Sequence, residues 1–81
     1  MGGTVITVRL FAAAAEAVGD EETEVDAATA GDLRLALGAR SDDARRVLAQ
    51  CALLRNGTRL GDDAALTKGD LVDVLPPFAG G

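Results

Sequence analysis

In Leu71-Val72-Asp73-Val74-Leu75-Pro76-Pro77-Phe78-Ala79-Gly80-Gly81 a segment of alternating apolar residues runs into two prolines and then to two glycines. Val72 and Val74 fall on one face of a strand, Leu71, Asp73 and Leu75 on the other. Proline offers no N–H to a sheet ladder and has a fixed φ, so the pair ends the strand at Leu75 and sends the chain out extended and stiff. Glycine has no Cβ, so Gly80 and Gly81 make the tip as narrow as a backbone can be, fit for a slot in which any side chain would collide. The stretch therefore predicts a last strand over 71–75 and a flexible arm over 76–81. The one group that this arm presents is the carboxylate of Gly81.

Upstream, Lys68-Gly69-Asp70 and Gly61-Asp62-Asp63 read as turns, and Asn56-Gly57 between Leu53-Leu54-Arg55 and Thr58-Arg59-Leu60 is a strong hairpin signal, because both turn residues accept positive φ. Thr29 with Asp32 three residues later predicts a helix start, with Leu33, Ala36 and Leu37 at helical spacing. Gly38 interrupts that main helix. Ser41 with Asp42 and Asp43 re-caps a continuation in which Ala44, Val47, Leu48 and Cys51 share a face. At the other end, Thr4 to Phe11 alternates as a strand, with Ile6, Val8 and Leu10 on one side and Val5, Thr7, Arg9 and Phe11 on the other. Ala12 to Val18 predicts a short helix stopped by Gly19, and Glu22 to Val25 an edge strand. Strands at both ends around a central helix make an α+β domain, a sheet of four or five strands packed on one main helix.

Composition removes whole classes of function. The 81 residues fit one domain spanning 1–81. Eight basic against 13 acidic residues leave a net charge of −5, which with no basic stretch or aromatic platform argues against nucleic acid and for a basic protein partner. One cysteine and no histidine rule out a disulfide, a zinc site or a Ser-His-Asp triad within the chain. No apolar stretch is long enough to span a membrane, and the expected compartment is the cytoplasm. The acidic run Asp20-Glu21-Glu22 with Glu24 and Asp26 lacks the ligand spacing of a calcium loop, so no metal site is expected and a solvated turn is. Cys51 reads as a small buried hydrophobe, with Arg55 the one cation expected near enough to lower its pKa.

Taken in order, Leu10-Phe11-Ala12 with Glu16 and Gly19, Asn56-Gly57, Gly69-Asp70, Pro76-Pro77 and Gly80-Gly81 resemble the small subunit of molybdopterin synthase, of the MoaD/ThiS family of ubiquitin-like sulfur carriers, over nearly the whole chain from Thr4. That resemblance implies a β-grasp fold. It also implies that a partner enzyme adenylates the Gly81 carboxylate with ATP, that a sulfurtransferase converts it to a thiocarboxylate, and that the synthase large subunit uses the sulfur. The carrier itself would then bind no cofactor and catalyse nothing. In the implied fold the first and last strands are neighbours, which brings Phe11 and Leu75 together at the root of the arm, with Phe78 beyond; Phe11, Leu75 and Arg59 are the expected partner contacts. Two residues depart from the family pattern: Ala15 stands where an arginine is common, and Arg55 where an aliphatic residue usually precedes the asparagine. Sister carriers for thiamine thiazole, cysteine or tRNA thiolation share the tail chemistry. A modifier attached to lysines, or an interaction domain with an incidental Gly-Gly, are the readings from other classes.

Overall fold

The two segments with the clearest alternation pair in parallel, although 64 residues separate Arg9 from its cross-strand neighbour Asp73. In the computed structural model, which describes residues 3–77, β1 (Val5–Leu10) lies beside β5 (Leu71–Leu75), with Thr7 next to Leu71 and Leu10 next to Val74. A parallel pair needs a crossover. Here the crossover holds α1 (Ala13–Val18), β2 (Glu22–Asp26), α2 (Ala30–Gly38), α3 (Asp42–Gln50), β3 (Ala52–Arg55) and β4 (Thr58–Arg59). The five-stranded sheet runs β2-β1-β5-β3-β4, antiparallel except at β1–β5, and β2 is an edge strand as its acidic pattern predicts. Phe78, Gly80 and Gly81 lie outside the described residues.

Alternation sorts the two faces. Ile6, Val8, Leu10, Leu53, Val72 and Val74 are all buried, in one core with Leu33, Leu37 and Leu48 from the helices. Burying an aliphatic side chain contributes about 1.5–3 kcal/mol, so these residues dominate the stability of the domain. Val5, Phe11 and Leu71 sit on the opposite, bare face and stay about 40% exposed.

The helical layer follows its caps. Thr29 Oγ1 accepts the N–H of Asp32 at 3.1 Å and Ser41 Oγ that of Ala44 at 2.9 Å, so α2 and α3 form as separate helices of nine residues. Gly38 is the last residue of α2, where a Cβ would lie 3.2 Å from the Cα of Arg45, so its lack of a side chain lets α3 pack close against the end of α2. The stripe on α2 differs from the spacing reading in one residue: Ala36 faces solvent, and Ala30 joins Leu33 and Leu37 in the core. Asn56 (φ 54°) and Gly57 (φ 78°) supply the paired positive φ of the β3–β4 hairpin.

Arg55 has a local task. Asp70 Oδ2 accepts the Thr67 N–H at 2.9 Å and Arg55 Nη1 at 2.8 Å, and the same Arg55 nitrogen donates to Ala65 O at 3.0 Å. The Thr67 hydrogen bond first, then Arg55, holds the Asp70 carboxyl below the usual carboxylate range. A carboxyl whose pKa is lower folded than unfolded adds stability above its unfolded value, about 3.9, and loses it as pH falls through the folded one. Urea titrations between about pH 5 and about pH 2.5 are therefore expected to show a shallower loss of stability for Asp70→Asn than for the parent chain. Parallel curves would show that the clamp contributes nothing.

Candidate functional site

The arm leaves the sheet from its central strand. Leu75 is half-buried, Pro76 is buried and Pro77 is exposed, so the arm read from sequence as starting at Pro76 first meets solvent one residue later. Beside its root, the Phe11 N–H donates to Val74 O at 3.2 Å, continuing the β1–β5 ladder and setting Phe11 next to Leu75 on the bare face. Phe11 is 39% exposed. Ala12 follows at φ 52° and ψ −126°, the first central position of a turn closed by the Ala14 N–H on Phe11 O at 3.1 Å. That conformation favours glycine and costs an alanine about 1–3 kcal/mol; it turns the chain sharply from β1 into α1 directly after Phe11.

Two further residues join the cluster from β3. Ala52 lies opposite Leu75 and Leu54 opposite Asp73, both on the bare face because Leu53 between them is buried. Arg59 lies opposite Leu54, at the far edge of the same register row. The structure thus brings Phe11 and Leu75 together and sets Arg59 two strands away from β5. Ala52 and Leu54 escape sequence reasoning; the one signal for them is their alternation with Leu53. At the centre of the face, Arg9 Nε and Nη2 donate to the two oxygens of Asp73 at 2.8 and 3.1 Å, a bidentate pair. A concavity of about 460 Å³ adjoins the cluster, bordered by Arg9, Phe11, Ala12, Ala15 and Glu21.

Cys51 lies elsewhere. It caps α3 rather than sitting within it, its Sγ donating to Val47 O at 3.2 Å. The cation facing it is Arg34, not Arg55: Arg34 Nη1 donates to Cys51 O at 2.9 Å and also to Leu48 O. Burial pushes the thiol pKa up and Arg34 only partly opposes it, so the thiolate that a sulfur relay needs is disfavoured. Cys51→Ala is expected to cost about 1 kcal/mol through a small cavity and to leave any sulfur transfer intact. A folded Cys51→Ala chain that no longer transfers sulfur would make the thiol part of the chemistry. Among the described residues no helix is long and apolar enough to cross a membrane, and no three Cys, Asp or Glu side chains are grouped to hold a metal ion.

A five-stranded mixed sheet gripping its helices, with one bare face and a glycine-ended segment following its central strand, is the β-grasp architecture of ubiquitin-like carriers. The chain belongs to the ThiS family, whose model matches residues 8–81, and so to the ubiquitin-like sulfur carriers of the MoaD/ThiS type. Small carriers of this family are in general non-catalytic. The chain is similar to small archaeal modifier protein 1 of Haloferax volcanii, at 30% identity and TM-score 0.78 over 93% of this chain and 99% of that one. It resembles a putative molybdopterin converting factor subunit 1 of Pyrococcus furiosus, at 25% identity and TM-score 0.79 over 91% and 98%. In a complex of subunits 1 and 2 of the molybdopterin-converting factor of Helicobacter pylori, one chain matches at 26% identity and TM-score 0.67 over 95% and 99%. No curated protein matches the chain at significance.

Proposed function

We propose that this protein carries sulfur for molybdopterin synthesis on the carboxylate of Gly81. What supports the reading is β5: the central strand of a β-grasp sheet leads through Pro76-Pro77 to Phe78-Ala79-Gly80-Gly81, and the family match extends to residue 81. A carboxylate is inert to sulfur until its oxygen becomes a leaving group. An adenylating partner supplies that step: the Gly81 carboxylate attacks the α-phosphate of ATP, pyrophosphate departs, and an acyl-adenylate forms. Attack by a donor's persulfide sulfur expels AMP and forms an acyl disulfide; a second thiol then attacks the donor's sulfur, leaves with it as a disulfide, and frees the thiocarboxylate. ATP belongs to the partner, and this chain holds no cofactor. The large subunit of molybdopterin synthase then takes the sulfur, gripping the arm and the Phe11–Leu75 cluster beside its root. Once the sulfur is bonded to the acceptor, water hydrolyses the acyl–sulfur bond and returns the Gly81 carboxylate, so the carrier is regenerated.

Mass spectrometry of the protein purified from its own cells tests the chemistry, through the mass gain of one sulfur replacing one oxygen at the C-terminal peptide. A terminal carboxylate unchanged under all growth conditions would refute it. The identity of the copurifying large subunit tests the pathway. The likeness to an archaeal modifier protein favours one second reading, capture of the same activated glycine by a lysine amine. Lysines of other proteins carrying residues 69–81 in isopeptide linkage, the remnant that trypsin leaves after Lys68, would establish that reading instead.

A further inference from the structure

We propose that the partner docking on the bare sheet face is charge-polarised, with a basic segment over the β2 edge and a carboxylate over Arg59, so that charge decides which way round the carrier is held. The inference rests on the carrier reading above and adds the chemistry of the partner surface. Of the exposed large apolar side chains, Val5, Phe11 and Leu71 all lie on this face, and only Leu35 of α2 lies elsewhere among the described residues. One register row crosses the whole face: Glu22, Arg9, Asp73, Leu54, Arg59. Within it Arg9 and Asp73 neutralise one another through two hydrogen bonds. The uncompensated charge is therefore at the two edges.

On β2, Glu22, Glu24 and Asp26 are opposite Arg9, Thr7 and Val5 and so share the bare face; all three are exposed, and none has a cation within 4.0 Å among the described residues. Arg9, Arg34, Arg40, Arg45, Arg46 and Arg55 each hold a carboxylate, whereas Arg59 and Lys68 have none among the described residues; of these two, Arg59 is on a strand of the sheet and Lys68 in the turn before β5. Four strand spacings of about 4.8 Å separate the edges by roughly 19 Å, about two Debye lengths at physiological salt, so a partner senses each edge separately. A second copy is the wrong occupant. In a two-fold pairing of two such faces one Arg59 would have to answer three carboxylates, which leaves an excess of negative charge at each edge, and two chains of net charge −5 repel as wholes. A partner basic along one edge of its contact and acidic at the other fits in a single orientation.

The adenylating enzyme of the same organism is the probe, because loading for synthesis and activation for conjugation both require it. Association with the full chain is followed by stopped flow at low salt and at about 0.5 M salt, for Glu22→Gln/Glu24→Gln, for Arg59→Glu and for the control Asp32→Asn/Asp63→Asn, which changes net charge as the first does but away from the face. The β2 pair is expected to slow association at least about threefold at low salt, Arg59→Glu to weaken binding about tenfold, and the control to stay near wild type. Melting curves show whether each variant is folded, and Arg59→Gln is the milder substitute if Arg59→Glu is not. Equal slowing by the control and the β2 pair would overturn the polarity in favour of net charge alone. A dimer of the free carrier in sedimentation, dissolved by Arg59→Glu, would make a second copy the occupant. Failure of the wild-type chain to bind the adenylating enzyme would instead remove the carrier reading, and the polarity with it.

Discussion

A chain lacking only Gly81 is expected to lose ATP-dependent thiocarboxylate formation entirely while keeping the thermal midpoint of the parent. Among the described residues the apolar core cluster runs from Ile6 to Val74, and glycine has no side chain whose loss would leave a cavity. It moves the terminal carboxylate back by one residue, on an arm stiffened by Pro76-Pro77, and a displacement of about 3.3–3.6 Å carries it out of reach of an α-phosphate held in place. Gly80→Val leaves the carboxylate where it was but adds a branched Cβ, and is expected to impair loading by steric exclusion alone. Loading and melting are read on the same preparations, the first by mass spectrometry. Full thiocarboxylation of the shortened chain would refute Gly81 as the acceptor, and normal loading of Gly80→Val would refute a narrow slot.

Phe11→Asp and Leu75→Asp are each expected to weaken binding to the large synthase subunit by at least about 2 kcal/mol, roughly 30-fold in Kd. Phe11 is an exposed aromatic beside Leu75 at the root of the arm, where a partner that holds the arm as proposed would cover both. A charge buried there without a counterion loses the apolar contact and pays its own desolvation as well. The free monomer is expected to melt close to the parent temperature for Phe11→Asp, and Leu75→Asp to shift more because Leu75 is half-buried. Calorimetry of binding and melting of the same variants decide the matter. If Phe11→Asp unfolded the free monomer, Phe11 would be a core residue and not a contact.

What could be read from sequence follows the physics of each segment. Period-2 alternation exposed β1 and β5 and both of their faces, and the positive φ of Asn56-Gly57 exposed the hairpin. Gly38 and Ser41 marked the break between α2 and α3. Spacing groups Ala36 with Leu33 and Leu37 although it faces solvent, because on nine residues an alanine at the flank of an apolar stripe carries too little hydrophobic weight to say which way it faces. The outward face of Leu54 is illegible for a related reason: Leu53 and Leu54 are both apolar in a strand of four residues, and only the pairing with β5 separates them. Arg34 at Cys51 and Arg55 at Asp70 join residues 17 and 15 apart, contacts that no local pattern encodes. The place of Arg59 on the sheet needs the order β5-β3-β4, which comes from register and not from composition. The expectations for Phe78, Gly80 and Gly81 rest on sequence and on the family match, since those residues lie beyond the described part.

The central place of β5 also governs when the protein can come into being. Asp73 and Val74 pair with β1 on one side and β3 on the other, so a nascent chain released as far as β4 owns both halves of the sheet and nothing to unite them. Such long-range closure is slow compared with helix formation, and it waits for residues 71–75 to leave the ribosome. Fragments interrupted anywhere earlier expose the β1 ladder and the underside of the helices, and offer themselves to proteases instead of partners. The last strand to be made is thus the one that closes the sheet, and the core is complete only once it is in place.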